Sequence, residues 1–412
     1  MKQSKTGTKI AILLLASCQG SLAIAVTAIE TLSGIYPDVA QGTLLLISTL
    51  PTLTAILASV CSAAFYKVLG YKNTGIMAVL MVGLGGAIPL LIPGITAILI
   101  SRFVLGIGYG ISAVLAPTLI GIKLAGDKNQ KNFYGYEVAM LGMSGVIFGQ
   151  IGGILTSVNV KLMWALHLVF LLVLVVVIIG LEEPTAEELA VQSAADGAKK
   201  ESDKIAGKIR HAIPSIFFLL IILHFAASSV SMTWYSNVSY VTAERGILNA
   251  AAFAGTMMAI YNLGNFIGGL MTGRFARFTK HYTVIVGIVF FAVCYFLTCI
   301  SGNKVIMLLA AMVLGMGDAI AYSSAFTIVG YLVRGESNGL AVGIMNAFTQ
   351  GGCFIGPYIP LAISTAMGGD GAALPQMRIS VVLAVILAVV YSMVLRIKAC
   401  QPIAEGYAGD EE

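Results

Sequence analysis

The chain has 412 residues, of which 58% are apolar and only 10% charged, and its mean hydropathy is +0.93. Water-soluble domains carry about 25% charged residues, so charge this sparse excludes a surface that faces water throughout and points to lipid. The net charge of +5 is modest, and its placement along the chain says more than its size.

A helix needs about 20 mainly apolar residues to cross the hydrocarbon core. Such runs lie near 8–29, 43–66, 74–93, 95–122, 134–157 and 161–181. The first follows a basic N-terminus, as a signal peptide does, but similar runs recur to the end of the chain, so it reads as a retained helix. Segment 182–212 is charged, Ala-rich and poor in large apolar residues, and reads as a cytoplasmic linker. Apolar runs resume near 213–240, 250–273, 281–301, 304–333, 339–366 and 376–398. The expected fold is therefore an all-α integral membrane protein of twelve transmembrane helices. Its expected parts are an N-terminal six-helix bundle (1–181), the linker, a C-terminal bundle (213–398) and a cytoplasmic tail (399–412).

Basic residues fix the orientation. With the N-terminus inside, 19 of the 24 lysines and arginines fall on the cytoplasmic side. Lys161, Arg245, Lys304 and Arg378 fall outside, and Arg102 lies within span four. This is the positive-inside pattern, and it predicts a cytoplasmic membrane location with both termini inside. The basic loops are topology signals, so no nucleic-acid partner is expected.

Five of the six cysteines lie in apolar runs and the sixth in the tail, with no CxxC, so they read as free packing thiols. The four histidines are scattered and show no metal-ligand spacing. No nucleotide-binding strand–turn–helix signature occurs, and no obligate protein partner is implied. The 46 glycines suit close helix approach in a bilayer.

The halves echo each other. Phe103–Tyr109 in span four matches Met312–Asp318 in span ten at an offset of 209 residues. Gly145, Gly149 and Gln150 in span five match Gly352, Gly356 and Pro357 in span eleven at an offset of 207. A parallel duplication of six helices accounts for both.

With this architecture, several motifs resemble those of the major facilitator superfamily. The loop after span two keeps Gly70 and Lys72 of the family's Gly-acid-basic pattern, with Lys67 where an acid is expected. Its second copy keeps Gly269, Arg274 and Arg277. Span four carries Arg102 ahead of Gly106, Gly108 and Gly110, similar to the Arg-plus-glycine motif of proton-coupled members. The span-five glycines resemble those of drug/proton antiporters, though Gln150 replaces the usual proline. The resemblance implies alternating access about a midplane site lined mainly by spans one, four, seven and ten. It implies no cofactor, since a proton gradient would supply the energy.

Ionisable residues inside a membrane cost about 2.5–3.5 kcal/mol on insertion scales and need a reason. Asp318 in span ten is the first expected proton-coupling group, followed by Glu30, Arg102 and Glu137. At about 100° per residue, Gln19 and Glu30 share a stripe on span one, and Arg102, Gly106 and Tyr109 share one on span four. His224, Ser228, Ser231 and Tyr235 stack on span seven, Asn262 lies on span eight, and Asn346 and Gln350 precede Pro357 on span eleven. With Trp234, Tyr261 and Tyr322 these residues form the expected solute-binding set. His167, in a very apolar span, reads as a packing residue.

The expected function is proton-coupled efflux of a small amphipathic or organic-anion solute. Proton-coupled uptake of an organic acid or nutrient, or uniport, is the alternative. A membrane sensor or embedded enzyme is the reading from another class. The sequence lacks the nucleophile–base or metal set that an enzyme needs and a soluble signalling domain.

Overall fold

The computed structural model describes residues 6–124, 130–190, 214–333 and 337–404. Most of the linker (191–212), part of the tail (405–412) and the basic residues Lys128 and Arg334 therefore lie outside the described residues. The described residues form helices and turns, without strands.

Among the described residues, ten stretches are long and apolar enough to cross a membrane by length and composition. Spans two and three count separately, spans eight and nine count as one stretch (Ala250–Ile300), and span eleven is not among them. The twelve spans emerge where the chain reverses or breaks. Spans two and three fall in one continuous helical stretch, Gln41–Leu80, but Gly70 inside it has φ 79° and ψ 167°, which turns the chain back. That conformation suits glycine because it has no Cβ. Spans eight and nine, Ala250–Thr279 and Thr283–Ile300, meet at a tight turn in which Lys280 has φ 51°. Span eleven breaks at Gly356–Pro357 into Ser337–Ile355 and Tyr358–Ala366. Proline cannot donate to the preceding turn, so the break falls where sequence chemistry puts it. Asn159 and Asn303 cap the starts of spans six and ten by accepting from the Lys161 and Val305 amides at 2.8 and 2.9 Å.

Span one is less regular than a uniform 100° spacing assumes. It comprises Thr6–Ser17, a 3₁₀ turn at Cys18–Ser21, Leu22–Val26 and Ile29–Ile35. The stripe expected through Gln19 and Glu30 is thus interrupted by the 3₁₀ turn and by the turn at Thr27–Ala28, and only its two polar ends are half-exposed. Outward faces of other spans carry Leu57, Val60, Leu172, Ile179 and Met393 with 61–78% of their surface open. Such faces belong in hydrocarbon.

The chain divides into two compact units: Met1–Ala198 with Asn249–Ala259, and Lys199–Leu248 with Ile260–Glu412. The repeat is visible inside each. A Cβ added to Gly106 on span four would lie 2.6 Å from the Pro51 Cα on span two. Its counterpart Gly315 on span ten stands equally close to span eight, with the Asn265 nitrogen at 2.7 Å. Two residues on, Gly108 packs against Ala78 and Met81 of span three, and Gly317 against Gly287 and Phe290 of span nine. Equivalent glycines therefore join equivalent helix pairs, which chance similarity between glycine-rich helices does not explain.

Candidate functional site

In the second unit, Asp318 sits half-buried midway along span ten (Lys304–Leu332). The Tyr261 hydroxyl from span eight donates to its Oδ2 at 2.6 Å, and Ser231 from span seven is also hydrogen bonded to it. Three helices thus converge on one intramembrane carboxyl. Aromatic rings surround the tyrosine: Trp234 stacks on Tyr261 at 6.0 Å between centroids, and Tyr235 meets it edge-on at 5.8 Å. One turn beyond Asp318, Tyr322 is 45% exposed and packs on Phe326 at 4.5 Å. His224 lies 6.3 Å from the Tyr322 ring. The Ser228 hydroxyl donates to the His224 carbonyl at 3.0 Å, a bond within span seven. On span eleven Asn346 is exposed and Gln350 half-exposed, and Asn262 on span eight is half-buried.

In the first unit, the sequence-derived residues separate into different places. Gln19 hydrogen bonds Glu137, joining span one to span five (Gln130–Val158) around a carboxylate that is 9% exposed. Glu30 is half-buried at the outer end of span one, in Ile29–Ile35. Tyr109 is half-buried on span four. Arg102 is fully buried. One terminal nitrogen of its guanidinium faces the Gly86 carbonyl at 3.3 Å, the Ser101 hydroxyl at 3.1 Å and His167 Nε2 at 3.4 Å. The guanidinium also lies over the Trp164 ring, 5.0 Å from its centroid. Since Arg102 only donates, His167 Nε2 accepts, and Nδ1–H then donates to the Trp164 carbonyl at 3.2 Å. Arg102 therefore ties spans three, four and six together.

Sequence reasoning missed two carboxylate clips at span ends. Glu183, just after span six, accepts from the backbone amides of Tyr71 and Lys72, both at 2.7 Å. It caps span three directly after the Gly70 reversal, so Gly70 and Lys72 of the loop motif are held by an acid from elsewhere in the chain. Lys123 Nζ adds bonds to the Glu183 carbonyl at 3.0 Å and to Glu188 at 2.8 Å. Burial alone would raise the Glu188 carboxyl. The bonds from Lys123 and the Thr185 amide outweigh it and hold the group below its usual range. This tie is complete above the ordinary carboxylate range and is lost as pH falls through the depressed value.

On span seven, Glu244 accepts from the Ala373 and Leu374 amides that begin span twelve, and its neighbour Arg245 donates to the Thr298 and Cys299 carbonyls that end span nine. An acid on a helix start and a base on a helix end both complement the helix dipole. Glu183→Ala is expected to cost about 0.5–2 kcal/mol, the range for a lost N-cap, seen as a melting point lower by a few degrees in detergent.

Gly145, Gly149, Gly352 and Pro357 are buried, while Gly269, Arg274 and Arg277 are exposed. Gly149 packs against Met258, and Gly356 against the Ser229 backbone.

A duplicated set of six spanning helices that carry polar clusters within their apolar lengths defines a multi-pass membrane protein. Family profiles match both halves: "Sugar (and other) transporter" over residues 19–211 and "Major Facilitator Superfamily" over 217–402. Among solved structures, the nucleoside transporter NupG is 13% identical, with a TM-score of 0.74 over 95% of this chain and 100% of that one. A D-xylose-proton symporter is 13% identical, with a TM-score of 0.71 and coverage of 92% and 96%. A bacterial homolog to the human lysosomal transporter Spinster is 14% identical, with a TM-score of 0.72 and coverage of 98% and 99%. Comparison with curated proteins gave no significant match. The chain belongs to the major facilitator superfamily and is a multi-pass secondary transporter in fold.

Proposed function

We propose that the protein moves a small amphipathic solute across a cytoplasmic membrane by alternating access, in exchange for protons, with both termini in the cytoplasm. The observation that carries this reading is Asp318: a carboxyl in mid-span, held by donors from two other helices and still half-exposed. A titrating group so placed can load and release a proton as its surroundings change. Tyr235, Tyr261, Tyr322 and Trp234 supply aromatic surface for the solute, with Ser228, Ser231, His224, Asn262, Asn346 and Gln350 as its polar lining. In the first unit, Glu137 with Gln19 is the second protonatable site, Glu30 serves the outer entrance, and Tyr109 contacts solute. Arg102 acts through its hold on three helices.

Reconstitution with a pH-sensitive dye trapped inside the vesicles, and a panel of amphiphiles, organic acids and sugars, tests the proposal. Solute-dependent proton release in the direction of antiport supports it. Co-directional movement of proton and solute replaces efflux with the uptake reading, the activity named for the D-xylose-proton symporter. Solute movement without any proton flux removes the coupling.

A further inference from the structure

Among the described residues, two histidines lie within spans, and they form an internal contrast. His167 is fully buried and uses both ring nitrogens, one on Trp164 and one facing Arg102. His224 is 2% exposed, yet neither Nδ1 nor Nε2 has a hydrogen-bond partner among the described residues. Ser228, four residues further along its helix, donates its hydroxyl to the His224 backbone carbonyl. A buried neutral imidazole carries one donor and one acceptor, and leaving both unmet destabilises the fold. Such a group calls for a reason beyond packing.

Its setting supplies one. The Tyr322 ring beside it is 45% exposed and offers a flat face. Asp318 precedes Tyr322 by four residues, one helical turn, so an anionic solute on that face would meet a carboxyl. Among the described residues, the lysines and arginines of spans seven to twelve lie towards the ends of their helices. Arg102, deep in span four, has one terminal nitrogen facing backbone, hydroxyl and imidazole and its guanidinium over an indole, with Nε unpartnered among the described residues.

We propose that His224 is a docking group for an uncharged planar solute edge that both donates and accepts a hydrogen bond, an amide or similar heteroaromatic edge lying on Tyr322. This rests on the transport reading above and narrows its small amphipathic solute to neutral ring amides and their like. The Tyr322 ring supplies stacking, and the imidazole supplies direction.

The test uses the full chain in detergent, with nicotinamide and nicotinate at pH 7 as probes: one ring bearing an amide or a carboxylate. His224→Phe removes the unmet donor and acceptor at similar size, and is expected to raise the melting point without probe by about 2–4 °C. Nicotinamide is expected to raise the melting point of the wild type and of His224→Gln, which keeps a donor and an acceptor, but not of His224→Phe. Nicotinate is expected to leave all three unchanged.

A lower melting point for His224→Phe would show a structural histidine and overturn the proposal. So would a nicotinamide shift that survives in His224→Phe, no nicotinamide shift in the wild type, or a nicotinate shift as large. The transport reading is judged separately: proton flux that depends on Asp318 but is unchanged in His224→Phe leaves coupling standing and removes the docking role.

Discussion

Asp318→Asn is expected to abolish gradient-driven accumulation of solute while leaving its passive exchange across vesicles intact. Asparagine matches aspartate in size and can still accept from Tyr261 and Ser231, so the three-helix junction survives. What it lacks is a proton to gain or lose. A pH difference of one unit is worth about 1.4 kcal/mol per proton, which supports about tenfold accumulation. The variant should therefore fall from about tenfold accumulation to none, with unchanged counterflow of labelled solute. Loss of both activities in a protein that still melts cooperatively would place Asp318 in solute binding. Retention of both would return it to a structural role.

Gly106→Val is expected to be the most damaging single change to the fold. The added Cβ would stand 2.6 Å from the Pro51 Cα and 2.7 Å from its carbonyl oxygen, both backbone atoms that cannot rotate away. Spans two and four would have to separate, and the Ala58, Ala78 and Ile111 cluster that joins spans two, three and four would open with them. Overpacking of this kind costs about 1–3 kcal/mol or more. The expected result is a severe loss of monodisperse protein on size-exclusion chromatography. Gly142→Ala is the control, since a Cβ there meets nothing within 4 Å. Equal yields for the two variants would contradict the close approach.

The number of spans and the family were legible because lipid imposes long apolar runs and glycine-rich contacts that survive as local pattern. The repeat was legible for the same reason: Gly106 and Gly315 occupy matching positions because both must admit a neighbouring backbone. Asp318 stood out as a charge in an apolar run. Tyr261 and Ser231 were legible as solute-binding candidates, but their pairing with Asp318 was not, since Tyr261 is 57 residues away and a helical stripe names a face, not the residue opposite.

Arg102 shows the same limit. Its stripe with Gly106 and Tyr109 was readable, but its neighbours His167 and Trp164 come from span six, and their indole and imidazole look like ordinary apolar-span residues in sequence. Glu183 and Glu244 were passed over because acids at span ends resemble loop charges. Each clips backbone amides more than 100 residues distant, and amides carry no sequence signature. Their one readable sign is position, an acid directly at the end of an apolar run. Span one misled for another reason: the 3₁₀ turn at Cys18–Ser21 breaks the periodicity on which any stripe depends.

The measurement that most directly tests proton coupling at Asp318 is proton exchange on solute binding, read by a pH indicator in weakly buffered detergent solution. The most active compound from the transport panel would be added to the wild type and to Asp318→Asn. Antiport through this carboxyl predicts release of about one proton per wild-type molecule on binding and none from the variant. Equal release from both proteins, or saturable binding to the wild type with no proton released, would contradict it.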